Sequence, residues 1–204
     1  MTIGRGAAWG DRVAPPSGMI EAHDDAAFVR LALGPPPASV RLTGGDLART
    51  VGAASARAGT GSTVLAVPVD LLELTTDIGD FTACAHVVAR PPWSRGGPWF
   101  GALVVVMNVQ FIGDWDVAPR GHPNDGRAEV LQIDGSLPLR QRLAVRRRLP
   151  LGTHVPHPGI ATRSVRDATF EFRRPMVLRV DGVDVGAARS MAVHVHPDAL
   201  IAYA

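Results

Sequence analysis

Short apolar runs separated by glycine and proline turns dominate the hydrophobic pattern of this chain, and they read as strands more often than helices. The longest run falls within Trp99 to Ile112, where Ala102 to Met107 is β-branched and apolar enough for a buried strand. Behind it comes a dense polar loop, Asn108 to Gly126, stiffened or bent by Pro119, Pro123 and Gly126. Further strands are expected at Val40 to Leu42, Thr63 to Leu74, Phe81 to Ala89 and Ala128 to Ile133. Later ones are expected at Ala168 to Phe172, Met176 to Val180, Met191 to Val195 and Leu200 to Tyr203. Asp134-Gly135, Asp181-Gly182 and Pro197-Asp198 supply turns between them.

Helical signals are fewer. Glu21 to Leu33 has the spacing of one helix, with Glu21, Asp24 and Asp25 at its start, where the helix dipole favours acids. Asp46 is a suitable N-cap for a short helix that Gly52 ends. Pro138 to Leu149 predicts a basic helix, with Ser136 near its cap and Pro150 at its end. Pro15-Pro16 and Pro35-Pro36-Pro37 break the first segment. Residues 1–38 are therefore expected to be an N-terminal helical arm, and 39–204 one mainly β domain with some helix (α+β).

Composition narrows the chemistry. At 46% apolar, 204 residues can bury a substantial core, and Gly plus Pro total 39, as many turns require. All 21 basic residues are Arg, which excludes a phosphate-loop lysine and a Schiff-base lysine. Net charge is only +2, yet Leu139 to Arg189 holds 11 Arg against four acids. Such a segment suits phosphates or anionic lipid headgroups, and no nucleic-acid partner is expected. No apolar run is long enough to span a bilayer and no leader pattern opens the sequence, so a cytoplasmic protein is expected, with peripheral membrane contact through the Arg-rich segment. The lone Cys84 sits in apolar surroundings and reads as a small buried hydrophobe.

Three chemistries compete. His122, His154, His157 and Asp125 could hold zinc, but their spacing matches no zinc motif, and zinc is not expected. Cys84 and His86 could share one strand face, but no Gly-x-Ser-x-Gly elbow or third partner accompanies them. The strand, glycine turn and helix start at Val40 to Asp46 could hold an anion.

The third reading comes from resemblance, carried by a collinear set of motifs over residues 39–204. Thr43-Gly44-Gly45-Asp46-Leu47-Ala48-Arg49-Thr50-Val51-Gly52 resembles the G-T-x-N-D-F-A-R-x-L-G segment of the diacylglycerol kinase and related lipid kinase family, within the NAD-kinase-like superfamily. Val67-Pro68-Val69-Asp70-Leu71 resembles its V-D strand, and Asn108 its central-strand Asn. Ala118-Pro119 through Asn124-Asp125-Gly126 and Ala128-Glu129-Val130 resemble its A-P-x-A-x-x-D-D-G-x-L-D-V signature. Val180-Asp181-Gly182 resembles its late D-G-E turn, and Pro197-Asp198-Ala199-Leu200 the lead into its closing strand.

The resemblance implies a β-sandwich like the C-terminal domain of those kinases, where ATP and lipid meet beside an αβ nucleotide domain. It implies Asp181 at the position of the catalytic base, Asp46 on the nucleotide side, and Asp125 in a Mg²⁺ and water network. Gly45, Arg49, Asn108, Arg120, His122 and Asn124 join Asp46 and Asp125 as candidate ligand or phosphate contacts, and His154 and His157 complete the set. The chain departs from the family at three places: it has no G-G-D-G-T motif, Gly45 replaces Asn, and Val183 replaces Glu. The expected function is thus that of a degenerate lipid-kinase-related protein binding a lipid or phosphorylated ligand. The alternatives are an active ATP- and Mg²⁺-dependent lipid phosphotransferase with a nucleotide site from Gly4 to Gly10 and Gly44 to Asp46, or a non-catalytic subunit completing a partner kinase that carries a nucleotide domain.

Overall fold

A computed structural model describes residues 10–53 and 63–204. Of the expected glycine segment Gly4 to Gly10, residues 4–9 lie outside the described residues. The early elements are β1 (Asp11–Val13), β2 (Ile20–Ala22), α1 (Asp25–Ala32), β3 (Val40–Leu42) and α2 (Gly45–Thr50). Next come β4 (Val64–Thr76), β5 (Gly79–Ala83), β6 (His86–Arg90), β7 (Leu103–Met107), β8 (Phe111–Ile112), β9 (Trp115–Asp116) and β10 (Ala128–Ile133). The chain ends with α3 (Leu139–Arg148), β11 (Ile160–Val165), β12 (Asp167–Val180) and β13 (Val183–Tyr203).

The fold is mainly β, a sandwich made by one curling sheet. Its strands run β1-β4-β13-β12-β6-β7-β10-β11, with β5 added to β4 and β3 to β13. Most pairs are antiparallel; β2 and β3 run parallel, and so do β3 and β13. Alternation along the strands sends side chains to two cores. Val104 and Val106 of β7 enter the sandwich interior, with Leu72, Leu74, Leu178 and Val193. Val105 and Met107 face the other way, into a second core shared with Phe28, Leu47, Val67 and Val69.

Four features differ from the sequence expectation. Ile20 to Ala22 is a strand rather than the start of a helix, and α1 begins at Asp25, capped by the Asp24 carboxylate accepting from Ala27 N at 2.7 Å. Residues 168–180 form one strand with an irregularity after Glu171, and 183–203 one strand with an irregularity between His196 and Leu200. The run from Trp99 to Ile112 is not one strand: it forms β7 over Leu103–Met107 and the short β8 at Phe111–Ile112, because Gly101 takes a left-handed conformation and the backbone turns at Asn108. Finally, Ala22, Phe28 and Val29 share a core with Val69 and Met107, so β2, α1 and β3 form a parallel β-α-β unit packed on the sandwich, where the sequence suggested a single helix. Among the described residues, no helix is long and apolar enough to cross a membrane.

Candidate functional site

The site is assembled around the bend Cys84-Ala85 between β5 and β6. Its backbone amides point inward, and Asp181 fills the space they enclose. Asp181 Oδ2 accepts from Cys84 N at 2.8 Å, and Oδ1 accepts from Ala85 N at 3.0 Å and His86 N at 2.9 Å. Its own N–H donates to His86 O at 3.0 Å, tying the β12–β13 turn, where Asp181 has φ +43°, to the start of β6. Only 6% of the residue is exposed. Burial raises its pKa against the lowering effect of those amides. The carboxylate expected as a base therefore faces a backbone turn and organises it.

Cys84 is fully buried and its thiol is pushed well up by burial and by the neighbouring Asp181 and Asp25 charges. That environment disfavours a thiolate nucleophile. Cys84 Sγ donates to Asp25 O at 3.7 Å, which ties the bend to the start of α1.

Asp25 does something the sequence did not suggest. Its Oδ2 accepts from Asp46 N at 2.8 Å and its Oδ1 from Leu47 N at 3.0 Å, so it occupies the amides at the start of α2. The anion expected at this glycine turn is thus supplied by the chain itself. Gly45 has φ +94°, and a Cβ there would overlap the Asp25 carboxylate, which gives the glycine a structural reason. Burial raises the Asp25 pKa to about 7; the Asp46 and Leu47 amides oppose the rise, and the Asp181 and Asp46 charges add to it.

Asp46 turns its side chain outward from the helix start. Oδ1 accepts from Gly113 N at 2.7 Å, and Oδ2 lies 3.8 Å from His86 Nδ1. Burial raises Asp46 as well, partly offset by the Gly113 amide and by Arg49. Arg49 donates to Gly113 O and to Asp114 Oδ1, and its guanidinium lies 4.4 Å from the Phe111 ring centroid. Gly44, Gly45, Asp46, Arg49, Gly113 and Asp114 line one open cleft of about 510 Å³.

A second polar cluster lies beside the first. Asn108, fully buried, donates through Nδ2 to Asp70 O at 2.9 Å and Cys84 O at 2.8 Å, bridging the two clusters. Asp70 Oδ2 accepts from Gly126 N at 2.6 Å and Oδ1 from Asp198 N at 2.8 Å. Burial raises Asp70 to about 6, with the Gly126 amide lowering it and the Asp125 charge raising it. Asp125 Oδ1 accepts from Arg127 N at 2.9 Å, and its pKa is raised by burial. Asn124 is buried, and neither polar atom of its side chain has a hydrogen-bond partner.

The histidines do not assemble as the zinc reading would need. His157 Nδ1 accepts from Gly159 N at 3.0 Å within its own loop, and His154 is buried, with its pKa lowered by burial. Among the described residues, no cluster of three potential ligands contains His122, His154, His157 or Asp125. Arg120 stands apart from Arg49. It borders a groove of about 410 Å³ with Val117, Ala118, Leu131, Val155 and Pro156, where Glu129 is the other charged residue.

No protein-family model and no curated protein matches the sequence. Solved structures do match. Two described as diacylglycerol kinases of Bacillus anthracis strain Sterne superpose with TM-scores of 0.61 and 0.58, each at 12% identity over 90% of this chain and 76% or 75% of theirs. A third from the same strain gives a TM-score of 0.60 at 11% identity. The chain has the fold of diacylglycerol kinases. In this chain Asp46 lines the cleft, Asn108 follows β7, Asn124-Asp125 lie in the loop before β10, and Asp181 lies in the β12–β13 turn.

Sequence reasoning did not identify Asp25 as a site residue; it placed Asp70 in a strand without a role, and it weighed His86 only as a partner for Cys84. One signal was available for Asp70: a carboxylate inside an apolar strand needs partners. Asp25 carried no such signal, because its partners are amides 21 and 22 residues away.

Proposed function

We propose that this chain is a lipid-kinase-related binding protein that takes up a phosphorylated amphiphile, with the apolar portion in the groove beside β10 and the phosphate against Arg120. The observation that carries this reading is that groove: apolar walls with an exposed arginine at its edge. A concave, mostly apolar site with few polar groups is the usual form of a small-molecule site. The likeness to diacylglycerol kinases supports a lipid ligand. The exposed arginines Arg140, Arg147 and Arg148, next to exposed Leu139 and Leu143, support peripheral contact with an anionic membrane.

The residues around Asp125 fit a hydrated Mg²⁺. Asp70 and Asp125 are carboxylates raised by burial, their charges interact, and the buried Asn124 amide is unpaired. Mg²⁺ keeps several of its waters and needs only one or two carboxylates. When bound, it would supply positive charge to a phosphate. Asp70 and Asp125 would hold it, and Asn124 would orient its water.

The nucleotide side supports degeneracy. The β-α-β unit offers two short parallel strands, and the amides at the start of α2 are taken by Asp25. In a binding assay with fluorescent phosphatidate and diacylglycerol, phosphatidate is expected to bind more tightly. Arg120→Gln should weaken phosphatidate binding about tenfold, as loss of a charged hydrogen bond does. Equal affinity for both lipids, or no effect of the substitution, refutes the reading. A rise in melting temperature with ATP and Mg²⁺ would favour an active phosphotransferase instead.

One observation favours a second reading. Among the described residues, β2 pairs only with β3, so its outer edge is open to a further strand. A partner bearing a nucleotide domain could add there. A heteromer in native mass spectrometry of the protein isolated from its source would support this subunit role.

A further inference from the structure

The geometry points to a binding site for one divalent transition-metal ion, Zn²⁺ or Mn²⁺, formed by Asp25, Asp46 and His86. One ligand atom from each of the three side chains lies within 4.8 Å of the other two, and no other such group of His, Cys, Asp or Glu occurs among the described residues. Ligands bonded at about 2.1 Å to a tetrahedral ion are about 3.4 Å apart. The 3.8 Å between His86 Nδ1 and Asp46 Oδ2 is close to that spacing.

His86 supplies an independent reason to look for a ligand here. The residue is only 3% exposed, yet its Nδ1 has no hydrogen-bond partner. A buried imidazole nitrogen without a partner is costly to leave unsatisfied. A neutral imidazole has one ring nitrogen with a lone pair to give. The carboxylates have capacity left as well. Asp46 spends Oδ1 on the Gly113 amide and leaves Oδ2 toward His86. Each Asp25 oxygen accepts one backbone amide and keeps a second lone pair.

The donor set selects the ion. An imidazole nitrogen with carboxylate oxygens suits Zn²⁺ and Mn²⁺, whereas Mg²⁺ and Ca²⁺ prefer all-oxygen shells. Asp46 also lines the open cleft with Arg49 and Gly113, which offers the ion an entry path. A phosphate or carboxylate entering the cleft would meet the ion there. The inference does not depend on the Arg120 groove or on a lipid ligand.

The test needs neither lipid nor nucleotide. The full chain is stripped with chelator, dialysed, and titrated with Zn²⁺ in a calorimeter, with native mass spectrometry to count ions. One ion per chain with a micromolar or lower dissociation constant is expected. His86→Gln and Asp46→Asn should each weaken it at least tenfold, and His157→Gln should leave it unchanged. Because His86 is buried and a variant could fail to fold, X-ray absorption of the Zn²⁺-loaded native chain provides a second measurement. A shell with a single imidazole supports the site. No binding, tight binding by a folded His86→Gln, or a shell with two imidazoles overturns it. The last outcome would place the ion on the exposed pair His194 and His196, whose ring centroids are 4.7 Å apart.

Discussion

The side-chain amide of Asn108 donates to the main-chain carbonyl of Asp70 across 2.9 Å, in a position with no solvent. The same amide donates to Cys84 O at 2.8 Å. One NH₂ group thus spans β4, the β5–β6 bend and the end of β7. Replacing Asn108 by Ala leaves two buried carbonyls without their donor, at about 1–3 kcal/mol each. Asn108→Ala is expected to lower unfolding free energy by roughly 2–4 kcal/mol in urea titration. Asn108→Asp should do no better, since an ionised carboxylate offers no donor. A loss below about 1 kcal/mol would mean that water replaces the amide.

Asp181 tests whether a matched motif residue organises the backbone or takes part in chemistry. Its carboxylate accepts from three consecutive amides. Asn can offer one oxygen to that set and turns an NH₂ toward the remainder. Asp181→Asn should therefore destabilise the fold by about 2–3 kcal/mol, the scale for charged hydrogen bonds. Lipid binding measured well below the melting temperature should change less than threefold. A variant as stable as the parent, with ligand binding or turnover lost, would instead restore the role at the reacting hydroxyl that the motif implied.

Much of the sandwich is legible because strand alternation is a local property. Val104 and Val106 against Val105 and Met107 mark two buried faces without reference to any partner strand. What misled were interruptions. Arg173-Arg174-Pro175 and Pro197-Asp198 read as strand breaks, but they sit at irregularities inside single long strands. A bulge and a turn share polar and proline-rich composition, and only pairing with a neighbour tells them apart. Residues 20–22 failed for a related reason: a three-residue parallel strand has too few positions to show a period. At the site, Asp46, Asn108, Asn124 and Asp125 could be placed from motif order. The Asp25 contact with the start of α2 could not, since it depends on how the β-α-β unit docks.

The pH dependence of stability carries the signature of Asp25. Its folded pKa is raised to about 7 from an ordinary value of 3.8, so the folded state holds a proton that the unfolded state has released. This contribution is fully present below the unfolded pKa and is lost as pH rises through about 7. His86 acts oppositely. Its pKa falls from 6.5 to about 4 on folding, so stability rises over that range and is constant above it. From about pH 6.5 to 8 Asp25 contributes an expected loss on the order of 1 kcal/mol in chelator-treated protein, offset in part by the end of the His86 titration in the unfolded chain, so it is read as the difference between the parent and Asp25→Asn. Asp25→Asn should remove that slope, whatever its effect on absolute stability. Urea titrations at the two pH values measure it, and an unchanged slope in the variant would assign the proton elsewhere.

The basic helix α3 contains two kinds of arginine that its sequence does not distinguish. Arg142 is buried, and its guanidinium donates to Leu137 O at 3.0 Å, Pro98 O at 3.1 Å, Asp134 O at 2.9 Å and Gly101 O at 2.5 Å. It fastens the helix to the loop before β7 and to the turn after β10. Arg147, five residues on, is exposed. Arg142→Gln removes a charged fork and leaves buried carbonyls unpaired, so a loss of about 3 kcal/mol or more is expected. Arg142→Lys should recover little, because one ammonium cannot reproduce the planar fork. Arg147→Gln should stay within about 0.5 kcal/mol, as surface substitutions do. The two should also separate functionally. Arg147→Gln should weaken sedimentation with anionic vesicles at low salt while leaving the melting curve in place, because the charge acts through solvent and is screened by salt. If Arg142→Gln melts like the parent, the loop and helix are held by packing rather than by this guanidinium. If Arg147→Gln leaves vesicle binding untouched, the basic face is only a solvated surface.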